Sequence, residues 1–391
     1  MKKILAMLLA LVMVMGLVAC GTDAPETTAP AETNPAESTP AETTPAVEGT
    51  EYKIAMITDY GDITDQSFNQ TTYEACKAFA DENGVDFTYY KPSGDSTAER
   101  VAMVDAAVVA GYNVIVMPGF AFGETLAECA AMYPEIKFVA LDVADGEGGF
   151  TATENVFSAV YQEELSGYMA GYAAVKLGYK HLGYLGGMAV PAVQRFGYGF
   201  LQGVDAAAKE LGIVSDVKVE YVYGNQFFGD ADITAVMDTW YGEKGVECVF
   251  ACGGGIWTSA AEAAAKVGGK VIGVDVDQAA TIDGMFGEGM AVTSAMKGLA
   301  PTVKDVLTAI VLEDNWAAYA GKIETLGLVS ADPEANYVQL PMATTQFAEG
   351  FTAEDYSALV AAMFEGAVVV SSDIAEFPVT EVVVEQYANI K

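Results

Sequence analysis

The most constraining feature of this 391-residue sequence is an alternation of short apolar runs and helical periods that runs through it twice. Strands are expected over 54–58, 86–90, 114–117 and 138–141, with helices over 68–82, 97–109 and 123–132 between them. The strands are continuously apolar rather than alternating. Buried parallel strands read that way, because helices cover both faces of their sheet. After a helix over 163–177 the pattern restarts. Strands over 181–185, 217–222, 248–251 and 270–274 enclose helices over 196–211, 233–241 and 259–266. A strand over 292–294, helices over 299–312 and 353–365, and strands over 337–339 and 367–370 complete the reading. The expectation is an α/β chain of two doubly wound lobes. No Pro/Ser-rich linker separates them, so hinge crossovers join them. The first lobe is expected to take 51–155 and about 290–330, the second about 156–289 and 331–391.

Ahead of these lobes lie two segments of different character. Lys2 and Lys3 precede an apolar stretch over 4–18, the layout of an export signal. The stretch is short for a spanning helix, and no later apolar run approaches membrane length. It ends in Leu17-Val18-Ala19-Cys20-Gly21, which resembles a bacterial lipobox. On that resemblance Cys20 is the lipidated first residue of the mature protein, and 1–20 is a lipoprotein signal peptide. Residues 21–50 are almost all Thr, Pro, Ala and Glu, with Val47 the one large apolar side chain. Such a segment cannot bury a core, so a disordered tether is expected. The protein is therefore expected at the cell membrane, lipid-anchored on the extracytoplasmic face, with no other membrane contact.

Net charge is −35, from 54 acidic and 19 basic residues. Such a chain is repelled by nucleic acid and by anionic lipid, so neither is an expected partner. Cys76, Cys129, Cys248 and Cys252 show no metal-binding spacing, and His181 is the sole histidine. No metal and no cofactor is expected, and the folded body is expected to be a monomer. Buried free thiols are the default for these cysteines, although export permits disulfides.

Candidate site residues follow from strand ends, because ligands of such sheets lie beyond the carboxyl ends of the strands. The first strand stops at Thr58-Asp59, and the next helix opens at Phe68-Asn69, with Asp65 between. Gly119-Phe120 and Asp142 follow later strands of the first lobe. Phe196, Trp257 and Asp275 follow strands of the second. Each has a plainer reading: Phe68, Phe196 and Trp257 as core, Asp142 as a hinge or cap residue, Asp275 as a helix cap. Gly253-Gly254-Gly255 lacks the lysine of a phosphate loop and reads as backbone clearance for a ligand.

Four stretches, TDYGDITDQSFNQ (58–70), NVFSAVYQEELSGYMAGYAA (155–174), GGMAVPAVQRFGYGFLQGV (186–204) and VIGVDVDQ (271–278) with TSAMKG (293–298), together resemble the BMP family. These are basic-membrane-protein or Med-type solute-binding lipoproteins. The resemblance implies a type I periplasmic-binding-protein fold with three hinge crossovers, serving an ABC permease. It implies a nucleoside ligand, most often a purine nucleoside. Asp59, Phe68 and Asn69 match the family's base-binding loop, Asp275 its ribose carboxylate and Lys297 its pocket lysine. From pattern alone Lys297 reads as a solvated surface lysine. Tyr60 and the residues after it depart from the family's usual Gly-Gly-x-Asn-Asp. Two other readings stay open: a type I binding protein for a sugar or small polyol, and an enzyme acting on nucleosides. No nucleophile–base–acid set supports the enzyme, and His181 reads as structural.

Overall fold

The computed structural model describes residues 51–391, so Cys20, the signal segment and the tether lie outside the described residues. The first half runs β1 (Lys53–Ile57), α1 (Phe68–Asn83), β2 (Asp86–Tyr90), α2 (Thr97–Val109), β3 (Val114–Pro118), α3 (Phe122–Met132), β4 (Lys137–Leu141) and β5 (Val156–Tyr161). Then follow α4 (Glu163–Lys176), β6 (His181–Gly186), α5 (Pro191–Leu211), β7 (Lys218–Tyr223), α6 (Ala231–Asp238), β8 (Cys248–Cys252), α7 (Trp257–Ala265), β9 (Lys270–Asp275), α8 (Ala279–Phe286) and β10 (Ala291–Lys297). The last elements are α9 (Leu299–Val311), β11 (Lys322–Leu326), β12 (Val338–Gln339), α10 (Ala353–Phe364) and β13 (Val383–Gln386).

Two sheets result, one per lobe. The first has the order β11-β5-β4-β3-β1-β2, the second β12-β10-β9-β8-β6-β7-β13. All pairings are parallel except β10 with β12. The central strands are apolar throughout and fully buried, β3 and β8 along their whole length. Helices on either side bury them, the geometry that continuous apolar runs demand.

The chain crosses between lobes three times, after β5, after β10 and between β11 and β12. The three crossings hydrogen-bond side by side. Gln162 N donates to Leu326 O, Tyr337 N to Gly327 O, and Gly298 N to Tyr337 O. The result is two doubly wound α/β lobes joined by three adjacent crossings.

Several sequence expectations are corrected. β5 pairs within the first sheet, not at the start of the second lobe. β10, assigned from sequence to the first lobe, pairs with β9 in the second sheet; the return to the first lobe begins with α9, which packs on α1. β5, β11, β13 and α8 were not expected as elements; β11 and β13 are edge strands with exposed or half-buried side chains, which carry little apolar signal. The strand expected over 367–370 is irregular. There Ala367 N and Val368 N bond back to Ala362 O near the end of α10, and just beyond, the Gln202 side chain exchanges hydrogen bonds with Ser371 N and O at 2.8 and 3.0 Å.

Helices α4 and α5 touch backbone to backbone. A Cβ on Gly167 would lie 2.1 Å from Phe196 O, and one on Gly199 2.0 Å from Glu164 O. Glycine is the residue that permits this approach. The contact brings Glu163 at the start of α4 against Arg195 in α5.

Candidate functional site

Between the lobes, at the carboxyl ends of both sheets, lies a cavity of about 550 Å³. Pockets that bind small molecules run from about 300 to 1,000 Å³. All twelve candidate ligand residues line it, drawn from strand ends and helix starts of both lobes.

The first-lobe wall is built on the β1–α1 loop. Asp59 is buried, and its Oδ1 accepts from the backbone N–H groups of Tyr60 and Gly61, each at 2.7 Å. Burial pushes its carboxyl up from the ordinary 3.8 to about 6, against the pull of those two donors. Gly119 and Phe120 stand beside it. Asp65 does not reach for a ligand: its carboxylate accepts from the backbone N–H groups of Ser67, Asn69 and Gln70 and so caps α1. The Asn69 side-chain amide also donates to Asp65 at 3.2 Å. Phe68 is half-buried at the first position of α1, not sealed in the core.

The floor of the cavity is an ionic cluster centred on Lys297, the last residue of β10. It is 5% exposed, which corrects the solvated-lysine reading. Its Nζ lies 2.5 Å from Asp142 Oδ2, 3.5 Å from Glu163 Oε1 and 3.8 Å from Asp275 Oδ1. It also sits 4.7 Å from the centre of the Phe68 ring and 5.7 Å from that of Phe196. Burial alone pushes the ammonium down, but the three carboxylates override it and hold Lys297 above the usual lysine range. Burial pushes the Asp142 and Asp275 carboxyls up, with Lys297 opposing the shift. Arg195 Nε holds the other oxygen of Glu163 at 2.6 Å.

The second-lobe wall is apolar. Phe196 and Trp257 contribute edges while lying 1% and 2% exposed, so both are core residues that also line the cavity. Phe227 was missed from the sequence. It stacks on Tyr60 across the cleft at 6.2 Å between ring centres, and Tyr60 also donates to the Met188 sulfur at 3.2 Å. The signal was available, since Phe227 follows the end of β7 in a Gly-Asn-Gln-Phe-Phe-Gly loop. Gly254 has φ +51, and a Cβ there would lie 2.7 Å from Phe227 O. The glycine run therefore makes room for the Phe227 loop, rather than for a ligand alone. Glu163 was also missed; nothing at the start of α4 marks it in the sequence.

Chemically, this is a binding cavity with one open aromatic face, buried carboxylate acceptors and a buried cation. Residues 52–331 match the family model described as "ABC transporter substrate-binding protein PnrA-like". The chain is 30% identical over 242 residues to the ABC transporter nucleoside-binding protein BmpA of Lactococcus lactis, covering 59% of this chain and 65% of that one. It is 26% identical to basic membrane protein B of Borreliella afzelii, over 71% of this chain and 79% of that one. Among solved structures, a solute-binding protein of an ABC transporter system from Aeropyrum pernix K1 superposes with a TM-score of 0.63. Identity there is 24%, with 81% of this chain and 87% of that one covered.

Proposed function

Since the chain belongs to the Bmp family of PnrA-like substrate-binding proteins of ABC transporters, we propose that it captures a purine nucleoside and hands it to a permease. The observation that carries the reading is the meeting of Phe68 with the Asp142–Asp275–Lys297 cluster in one cavity of about 550 Å³. A nucleoside is a flat base joined to a sugar with vicinal hydroxyls, and it needs these two surfaces side by side. Phe68 stacks the base, while Asp59 and Asn69 meet its polar edge. Asp275 and Asp142 accept from the ribose hydroxyls through charge-assisted bonds, and Lys297 opposes the upward push of burial on both carboxyls. Phe227 and Tyr60 close the base side, with Phe120, Phe196 and Trp257 as apolar wall. The name of the Lactococcus relative supports the same ligand class. Cys20 tethers the protein to the outer face of the cell membrane, and the folded body works as a monomer.

Calorimetry tests the reading. Guanosine, inosine or adenosine binds, and free ribose or free base binds far more weakly. Phe68→Ala weakens nucleoside binding by about 1–3 kcal/mol, the worth of one base stack, whereas Phe68→Tyr retains most of it. Tight binding of a simple sugar with no heat from any nucleoside overturns the proposal.

A further inference from the structure

Beside the cavity, the β1–α1 loop meets the second lobe through two hydrogen bonds, each made by a side chain that does not line the cavity. The Ser67 hydroxyl donates to Asp275 Oδ2 at 2.5 Å, and Gln278 Nε2 donates to the backbone carbonyl of Gln66 at 2.9 Å. Gln66 and Asp275 line the cavity, but Ser67 and Gln278 do not. Gln278 is 1% exposed. Its Oε1 accepts from Val274 N at 2.9 Å, and its own backbone N–H donates to Ser294 Oγ at 3.1 Å. One end of the side-chain amide faces an N–H and the other a C=O, so its orientation is determined. Gln66 adopts φ +55, a left-handed conformation uncommon outside glycine, and its carbonyl meets Gln278 in that conformation. Both lobes are thus built to form this contact.

We infer that Gln278 is a latch that holds the two lobes shut without touching the ligand. Tied to β9 and β10, it presents a buried donor that finds its acceptor on the opposite lobe, and opening the cleft breaks that bond. A contact made only when the lobes are together raises the closed fraction, and the apparent dissociation constant falls in proportion. Ser67 on the first lobe adds a second bond to the same seam. The affinity effect rests on the nucleoside reading given above; the effect on lobe closure does not.

Gln278→Glu keeps the acceptor for Val274 N and replaces the donor with a second oxygen facing the Gln66 carbonyl. Ser67→Ala removes the neighbouring bond from the other lobe with little change in volume. Small-angle scattering of the ligand-free proteins is expected to give a larger radius of gyration for each variant than for the unaltered protein. Calorimetry with guanosine, inosine and adenosine is expected to show about two- to tenfold weaker binding, by one common factor, as loss of a single hydrogen bond predicts. Thermal unfolding checks that each variant is folded; if Gln278→Glu does not fold, Ser67→Ala decides. Equal radii for all three proteins overturn the latch, as do weakening factors that differ from one nucleoside to another. If no nucleoside binds the unaltered protein, the nucleoside reading falls while the scattering still decides the latch.

Discussion

Asp142 and Asp275 occupy equivalent places in the two lobes and share one lysine. Asp142 follows β4, which lies between β3 and β5; Asp275 ends β9, which lies between β8 and β10. Both are non-glycine residues in the left-handed region, with φ of +62 and +66. Both face Lys297, at 2.5 and 3.8 Å. Aspartate tolerates this backbone better than most residues, and the turn swings each carboxylate off its strand end into the cleft. With Glu163 included, three buried carboxylates meet two cations, Lys297 and Arg195. One carboxylate is in excess, and Asp142 Oδ1 has no hydrogen-bond partner among the described residues. Such a cluster offers acceptor capacity to a ligand that brings hydroxyl donors.

Lys297→Met should be strongly destabilising. It leaves Asp142 and Asp275 buried with no cation, and breaking a buried pair from one side costs about 3–5 kcal/mol. Chemical denaturation of the ligand-free protein measures this. Adding Asp142→Asn should restore part of the loss, because one of the stranded charges disappears. A loss within the range of an exposed lysine, below about 1 kcal/mol, would contradict the central role of Lys297.

Asp275→Ala should weaken ribonucleoside binding by at least about 2 kcal/mol, since charge-assisted bonds vanish and ribose hydroxyls are left unpaired. Its effect on 2′-deoxynucleosides should be smaller, because they bring one hydroxyl fewer. Calorimetry with each pair settles it: equal losses for both sugars would remove Asp275 from the ribose.

Asp59 sets a pH dependence with opposite signs for folding and for binding. Its folded value of about 6 lies above the ordinary 3.8. Its contribution to stability is therefore full below pH 3.8 and is lost as pH rises through about 6. Binding runs the other way, because the ionised carboxylate is the form that accepts from a base N–H. Nucleoside affinity should weaken as pH falls below about 6, by up to about tenfold per unit for one proton. Asp59→Asn should flatten that part of the profile, and an unchanged profile in the variant would assign the titration elsewhere.

Cys20→Ser should release the protein from the membrane fraction or stall its processing. One acyl chain anchors only marginally and several anchor stably, so loss of the acylated thiol is decisive for localisation. Fractionation and mass spectrometry of the mature amino terminus give the readout. Normal acylation and maturation of the variant would exclude the lipobox reading.

Much of this protein was legible in the order of its residues. Continuous apolar strands between amphipathic helices allow only a parallel sheet covered on both faces, so two doubly wound lobes followed from pattern. Strand ends pointed to the cleft, and Asp59, Phe68, Asp142 and Asp275 were found there because a parallel sheet opens at one end. Backbone propensity and the hydrophobic effect act locally, and local patterns record them. Tertiary structure alone decided the rest. β10 reads as a strand wherever it lies; only pairing with β9 puts it in the second sheet and carries Lys297 to the cleft floor. A lysine at a strand end looks solvated until three carboxylates from separate parts of the chain surround it. Glu163 meets Arg195 because Gly167 and Gly199 let two helices touch, and Gln278 finds Gln66 because the lobes meet. Charge pairing across more than a hundred residues leaves no periodic trace in a sequence, since its energy depends on distance in space and on burial, and the fold supplies both.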